Sequence, residues 1–326
     1  MLALIQIAPW HWVAFTLCIL FFLALDLGVF HRQAHSVRVQ EAICWTILWV
    51  SLALLFGAAL FPLRGSREAV EFFTGYFIEL SLSMDNVFVI ALIFGFFGVR
   101  NEHQHRVLFW GVVGALLMRG IMIGAGVALI NRFEWLLYLM GGVLLITGAK
   151  MLFSKEGEMD PEKSGLVRVA RRFLPISQDF DGSRFVTRSG GRRMFTPLFL
   201  VLLLVEASDL VFALDSIPAI FGVTRQPFIV FTSNVFAMLG LRSLYSILAG
   251  AMDYFRFLKV GLSVVLLFIG VKMLIDPHEG VPRWFQYDIP DGISLIVVVG
   301  IIGTAMLVSV LARQRERPPA DGSPRP

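Results

Sequence analysis

The sequence predicts an all-α polytopic membrane protein of about nine transmembrane helices. Composition, long apolar runs and an uneven spread of basic residues carry that prediction. Of the 326 residues, 57% are hydrophobic and 16% charged, and the mean hydropathy is +0.75. Those values lie well to the apolar side of a soluble domain. A helix needs about 20 largely apolar residues to cross a bilayer. Runs of that kind fall at 8–30, 41–62, 70–98, 107–130, 134–153, 196–222, 227–250, 256–275 and 291–312. So many runs beyond the length of ordinary core helices argue against a soluble helical protein.

The first run lacks a basic leading segment and continues into "ALDLGVFHR" with no small-residue cleavage pattern, so it reads as a retained helix rather than a signal peptide. The connections after the first, third, fifth, seventh and ninth runs hold nearly all the basic residues: Arg32 and Arg38, Arg100 and Arg106, the 154–195 loop, Arg256 and Lys259, and the tail from Arg313 to Arg325. The opposite connections carry only Arg64, Arg67, Arg132, Arg225 and Arg283. Basic loops stay in the cytoplasm, which puts the N-terminus outside and the C-terminus in the cytoplasm. The pI near 9.3 then reflects a basic inner face, with no need for a nucleic-acid partner.

The long polar loop, 154–195, mixes "SKEGEMDPEKSG" with "VRVARRF" and "SGGRRMF". It holds no catalytic motif, because "SGGRR" lacks the strand, spacing and lysine of a phosphate loop. The loop is expected to connect two halves of one membrane domain while its basic cluster fixes topology; a gate or partner surface is the alternative. The tail, 313–326, is expected to be disordered. Cys18 and Cys44 have no metal-ligand spacing and read as packing residues. The histidines fall mainly at helix ends and read as interface or solvent groups.

An internal repeat organises the middle of the chain. Shifted by 124 residues, "DNVFVIALIFGFFGV" (85–99) lies on "DLVFALDSIPAIFGV" (209–223) without a gap. The next run matches Arg119 with Arg242, and the third matches "LLITGAKML" (144–152) with "LLFIGVKML" (266–274). Repeat 1 (66–153) and repeat 2 (196–275) each hold three spans. An odd number forces the copies to cross the membrane in opposite senses, giving an inverted three-plus-three repeat. Secondary transporters built this way hold their substrate near the midplane, between the repeats.

Acidic residues stand inside these apolar runs: Glu79 and Asp85 in repeat 1, and Glu206, Asp209 and Asp215 in repeat 2. One such residue at a span's centre costs roughly 2.5 to 3.5 kcal/mol, so five isolated ones would cost on the order of 12 to 17 kcal/mol. They must share protons, cations or partners. Arg119 and Arg242 are candidate counter-charges, but two arginines cannot neutralise five acids. Glu206 and Asp209 share a helix face, whereas Asp209 and Asp215 diverge along an unbroken helix. Pro218 is expected to open the helix beside Asp215 and Ser216, freeing carbonyls for a cation. Asn86, with Gly95 and Gly98 behind it, offers the equivalent in repeat 1. Carboxylate, amide, hydroxyl and carbonyl oxygens, with no cysteine or histidine among them, favour Mn²⁺, Mg²⁺ or Ca²⁺ over Zn²⁺ or Cu⁺. Mn²⁺ and Ca²⁺ are not separated by ligand type.

Blander readings stand beside these. Asp85 and Asp209 could pair with Arg119 and Arg242 as structural bridges, and Asn86, Ser216 and Asn234 could be interhelical hydrogen-bond glue. Asp26 lies near the inner end of the first run, where it could snorkel, cap or guard an entrance. Lys150 and Lys272, near matched helix ends, are expected to reach the interface.

At these residues the sequence strongly resembles the TerC family of bacterial integral membrane proteins. The resemblance runs through "LDLGVFHR" (25–32), "SMDNVFV" (83–89), "VEASDLVFALDSIPAIF" (205–221), "TSNVFAMLGLRSLY" (232–245) and "GVKMLI" (270–275). It implies an inner-membrane metal-ion exporter with manganese as the best-supported cargo, no permanent cofactor, and an association with tellurium resistance. By motif position it implies a metal or transport role for Glu79, Asp85, Asn86, Glu206, Asp209, Asp215 and Ser216. The expectation is therefore divalent-cation export, coupled to protons through the buried carboxylates. A calcium transporter and a metal-binding membrane scaffold are the alternatives, and a membrane enzyme is disfavoured because no nucleophile, base and acid stand together. An acidic lining repels oxyanions, so a tellurium effect is expected to act through metal homeostasis.

Overall fold

The computed structural model describes residues 9–25, 39–133, 135–153, 174–177, 179–189, 192–248, 257–276, 286–287 and 289–316, without the side chains of a few of them, Asp85 included. Among the described residues the chain forms ten helices: α1 (Pro9–Leu25), α2 (Val39–Arg64), α3 (Ser66–Phe97), α4 (Asn101–Arg132), α5 (Trp135–Phe153), α6 (Pro197–Phe221), α7 (Pro227–Leu239), α8 (Leu241–Leu248), α9 (Leu258–Ile275) and α10 (Asp291–Glu316). Eight spans are long and apolar enough to cross a membrane, α7 and α8 together making one of them. With the shorter α1, the architecture is that of an all-α polytopic membrane protein. Asp26, Arg32, Arg38 and residues 317–326 of the tail lie outside the described residues, whereas α10 itself continues to Glu316.

The central helix is α3, which packs against α2, α6, α7, α8 and α10. It starts after Gly65, whose φ of 96° turns the chain sharply, with Arg64 and Glu68 paired at 2.7 Å across the turn. It ends at Gly98, whose left-handed φ of 61° suits glycine. The amide of Val99 then donates to the Phe94 carbonyl at 2.9 Å, closing the last turn. Glycine also sets how near α3 comes to α7: a Cβ at Gly75 would lie 2.9 Å from Ser233 Oγ. Away from the bundle, Ile121, Ile146, Phe153 and Ile296 are each more than 70% exposed. Such apolar side chains belong against lipid.

Several expectations are corrected here. Pro218 does not open its helix, since α6 runs unbroken from Pro197 to Phe221. The proline removes one donor within the last turn, and its own carbonyl still accepts from Gly222 at 3.0 Å. The interruption falls instead at Gly240, between α7 and α8. There the capping amide bonds to Met238, two residues back, rather than continuing the helical ladder. Lys272 does not reach the interface; it is 1% exposed, and its Nζ donates to Asp291 at 3.3 Å. Lys150 is exposed as expected. Cys18 and Cys44 are exposed rather than packed.

The 154–195 loop contains order that its polarity concealed. Strands β1 (Val186–Ser189) and β2 (Arg192–Phe195) form an antiparallel hairpin directly before α6. The 174–177 segment lies along β2, with the amide of Ser177 donating to the Phe195 carbonyl at 2.7 Å. Phe195 stacks on Phe199 with ring centroids 4.4 Å apart, fastening the hairpin to the first turn of α6.

Candidate functional site

Spacing along each helix delivers the polar groups to the centre. On α3, Glu79, Ser83 and Asn86 follow at intervals of four and three, one face of a helix. On α6, Asp209 and Ser216 are seven apart and share a face. Arg119, from the middle of α4, reaches between those faces.

Arg119 is 1% exposed and Glu79 is fully buried. The guanidinium makes a fork onto Asp209, Nη2 donating to Oδ1 at 3.0 Å and Nε to Oδ2 at 3.2 Å. Its Nη1 donates to Glu79 Oε1 and to Ser216 Oγ at 3.3 Å. Asn86 Nδ2 donates to Asp209 Oδ1 at 3.4 Å. One arginine thus holds two buried carboxylates, one from α3 and one from α6, and the cluster carries one net negative charge when both acids are ionised. Paired charges of this kind are tolerated in a low dielectric only where hydrogen bonds saturate them.

Saturation is incomplete. Among the described residues, Glu79 Oε2, Ser83 Oγ, Asn86 Oδ1 and both amide atoms of Asn234 are buried without a hydrogen-bond partner. Orphaned oxygens beside paired carboxylates form the donor set of a hard cation or of bridging water. Asn86 and Asp209 also form the polar end of a cavity of about 20 Å³, room for about one water molecule. Its remaining wall is largely apolar, with Leu108, Val112, Val205 and Leu241.

The other sequence-selected acids stand apart. Glu206 lies one turn before Asp209, with its carboxylate against α4 where Gly114 leaves space: a Cβ there would fall 2.1 Å from Oε1. Glu206 Oε2 is another buried atom without a partner. Asp215 points to α5 and accepts from Thr147 Oγ1 at 3.1 Å, with the Lys150 charge acting on it. Arg242 meets His105 Nδ1 at 3.4 Å near the start of α4, away from the Arg119 cluster. Among the described residues no three His, Cys, Asp or Glu side chains gather into a group that could hold a metal ion. Asp26 and the Asp85 side chain lie outside the described residues.

Sequence reasoning passed over Ser83, Gly114 and Thr147. Ser83 carried a usable signal, lying four residues after Glu79 on the same face. Gly114 and Thr147 did not, because each matters only through its partner on another helix.

The profile of the "Integral membrane protein TerC family" matches residues 64–317. The chain is 51% identical over 314 residues to the "Uncharacterized membrane protein STKORF319" of Myxococcus xanthus, covering 96% of both chains. It is 44% identical over 319 residues to the "Putative membrane-bound redox modulator Alx" of Salmonella typhi, covering 95% of this chain and 97% of that one. The protein of the same name in Escherichia coli K12 is 44% identical over 316 residues, covering 94% of this chain and 96% of its own. No solved structure matches. The chain belongs to the TerC family of integral membrane proteins and is homologous, over nearly its full length, to the Alx branch of that family.

Proposed function

We propose that this protein exports a hard divalent cation, manganese, across the bacterial inner membrane, exchanging it for protons at buried carboxylates. The observation that carries this reading is the Glu79–Arg119–Asp209 cluster with its orphaned oxygens. In it Arg119 acts as a tethered cation, offsetting one of the two acidic charges while cargo is absent. An arriving metal ion takes over Asp209 and Glu79, with Asn86, Ser83 and Ser216 adding neutral oxygens, and the guanidinium withdraws. Glu206 and Asp215, one on either side of Asp209 along α6, serve as stations before and after the centre, and Asp85 completes the acidic set. Carboxylates released by the metal take up protons, which lowers the cost of burying them on the return.

Movement is assigned to two inverted repeats, 66–153 and 196–275, within one membrane domain, with the N-terminus outside and the C-terminus cytoplasmic. Packing between the third helices of the repeats supports this. Gly141 and Ser263 are repeat-equivalent, as are Gly148 and Gly270. A Cβ at Gly270 would lie 3.1 Å from the Gly141 carbonyl, and one at Gly148 would lie 3.0 Å from the Ser263 carbonyl. Each repeat thus presents its first position to the other's second, the reciprocity of a two-fold contact. Cross-repeat bonds hold both ends: Thr224 Oγ1 donates to Glu71 at 2.5 Å at the outer end, and Tyr245 donates to Gln104 at 3.0 Å at the inner end.

Manganese flux into sealed proteoliposomes under an imposed pH gradient tests the reading, with a luminal metal-sensitive dye and orientation read from protease access to the 154–195 loop. Wild-type flux that depends on the gradient and disappears in folded Asp209→Asn is the expected result. No wild-type flux in either gradient direction counts against an autonomous exporter. Calcium competing as well as manganese transfers the cargo assignment to calcium.

A further inference from the structure

The 186–195 hairpin carries a charge arrangement that the transport reading does not use. Its register sets Arg188 directly across from Arg193, and like charges directly opposite one another destabilise a strand pair. Arg184, with 74% of its side chain exposed, stands beside them. These arginines line an open cavity of about 410 Å³ with Thr187 and Asp181. Asp181 is already engaged, accepting from Thr187 Oγ1 at 2.8 Å and facing Arg184 at 3.7 Å. Among the described residues neither Arg188 nor Arg193 meets a carboxylate. Three guanidinium charges against one acid leave a concave surface that calls for an anion.

Position selects the anion. Strand β2 ends at Phe195, two residues before the membrane helix α6 begins at Pro197. Thr196 fixes that junction by donating its hydroxyl to the Arg184 carbonyl at 2.7 Å and its amide to the Phe185 carbonyl at 3.0 Å. The guanidinium of Arg106 sits 5.1 Å over the Phe185 ring, tying the hairpin to the first turns of α4 as well. The arginine-lined cavity is thereby held at the membrane boundary, where lipid phosphates lie and basic side chains are drawn to anionic leaflets.

We propose that the Arg184–Arg188–Arg193 face of this hairpin binds the phosphate of an anionic phospholipid, with the acyl chains running down beside the start of α6. The test uses the full-length protein in detergent, with native mass spectrometry reading retention of phosphatidylglycerol against phosphatidylcholine. Wild type is expected to retain phosphatidylglycerol at least fivefold better, and the doubly substituted Arg188→Gln, Arg193→Gln protein should lose that preference. Asp181→Asn keeps an oxygen that Thr187 can bond while removing the one acid, and should retain phosphatidylglycerol about twofold better than wild type. That gain separates a charge effect from damage to the hairpin. Equal retention of the two lipids by wild type, or an undiminished preference in the arginine variant, overturns the proposal. So does full displacement by millimolar inorganic phosphate, which would make the site one for a free anion. None of these readouts depends on metal transport, so the lipid site and the exporter reading stand or fall separately.

Discussion

Arg119 and Asp209, on α4 and α6, meet as a two-pronged ion pair with contacts of 3.0 and 3.2 Å at the centre of the bundle. Both are buried. A buried pair does not guarantee net stability, but removing one partner leaves a bare charge, which typically costs about 3 to 5 kcal/mol. The two partners differ in what their loss leaves behind. Arg119→Met strands Glu79 and Asp209 together, whereas Asp209→Asn leaves Arg119 still paired with Glu79. Arg119→Met is therefore expected to lower the melting temperature in detergent more than Asp209→Asn. Adding Asp209→Asn to Arg119→Met should recover part of the loss. Strictly additive losses in the double-mutant cycle would mean that the two side chains act independently.

Glu206 owes its place to a missing side chain. A Cβ at Gly114 would fall 2.1 Å from its Oε1 and 2.5 Å from its carboxyl carbon. The obstructing atoms are the far end of a flexible chain, so Gly114→Ala should fold normally while pushing the carboxylate aside. Manganese flux is expected to drop about tenfold, a loss of about 1.4 kcal/mol in transition-state terms, with the melting temperature little changed. Flux equal to wild type would remove Glu206 from the path.

Membrane spans were legible because continuous apolar length is a local property, and the buried acids stood out against it. What required a second helix stayed hidden. Lys272 looked like a snorkelling end residue, yet it pairs with Asp291 at the start of α10, across a connection that hydropathy does not resolve. Pro218 looked like a helix opener, but a proline in the last turn leaves few bonds to break, and the real interruption at Gly240 sits in a run of unbroken hydropathy. The two matched arginines were visible as counter-charges; Arg119 binds two carboxylates, and His105 is among the contacts of Arg242. Asp215 was expected to diverge from Asp209 unless Pro218 opened the helix; α6 stays unbroken and Asp215 faces Thr147.

The α5–α9 seam predicts sharp position dependence among neighbouring glycines. Gly270→Ala would bring a Cβ within 3.1 Å of the Gly141 carbonyl, and Gly141→Ala within 3.2 Å of the Gly270 carbonyl. Backbone obstructs both, so the helices must part, at a cost of about 1 to 3 kcal/mol each. Gly142→Ala meets nothing within 4 Å and is the control. Thermal melts in detergent should show losses at Gly141 and Gly270 and none at Gly142; equal behaviour at all three would mean that the seam adapts freely.

The Thr224–Glu71 and Tyr245–Gln104 bonds, at the two ends of the bundle, predict opposite changes in access to the centre. Glu71 is 3% exposed, and the Thr224 hydroxyl donates to it at 2.5 Å; Thr224→Val keeps the shape and removes the donor. Tyr245→Phe does the same for the bond to Gln104. Each loss weakens its own end by about 1 kcal/mol, enough to shift a balanced two-state equilibrium about fivefold. A cysteine at Ser208, on the wall of the central cavity, reports access when Cys18 and Cys44 are replaced by serine. In the orientation proposed above, Thr224→Val should speed its labelling by a membrane-impermeant maleimide added outside, because the end that Thr224 closes opens more often. Tyr245→Phe should slow that labelling and speed labelling from the cytoplasmic side of inverted vesicles. Rates that move in the same direction in both variants would describe general loosening, and rates that do not move would make the two bonds static braces.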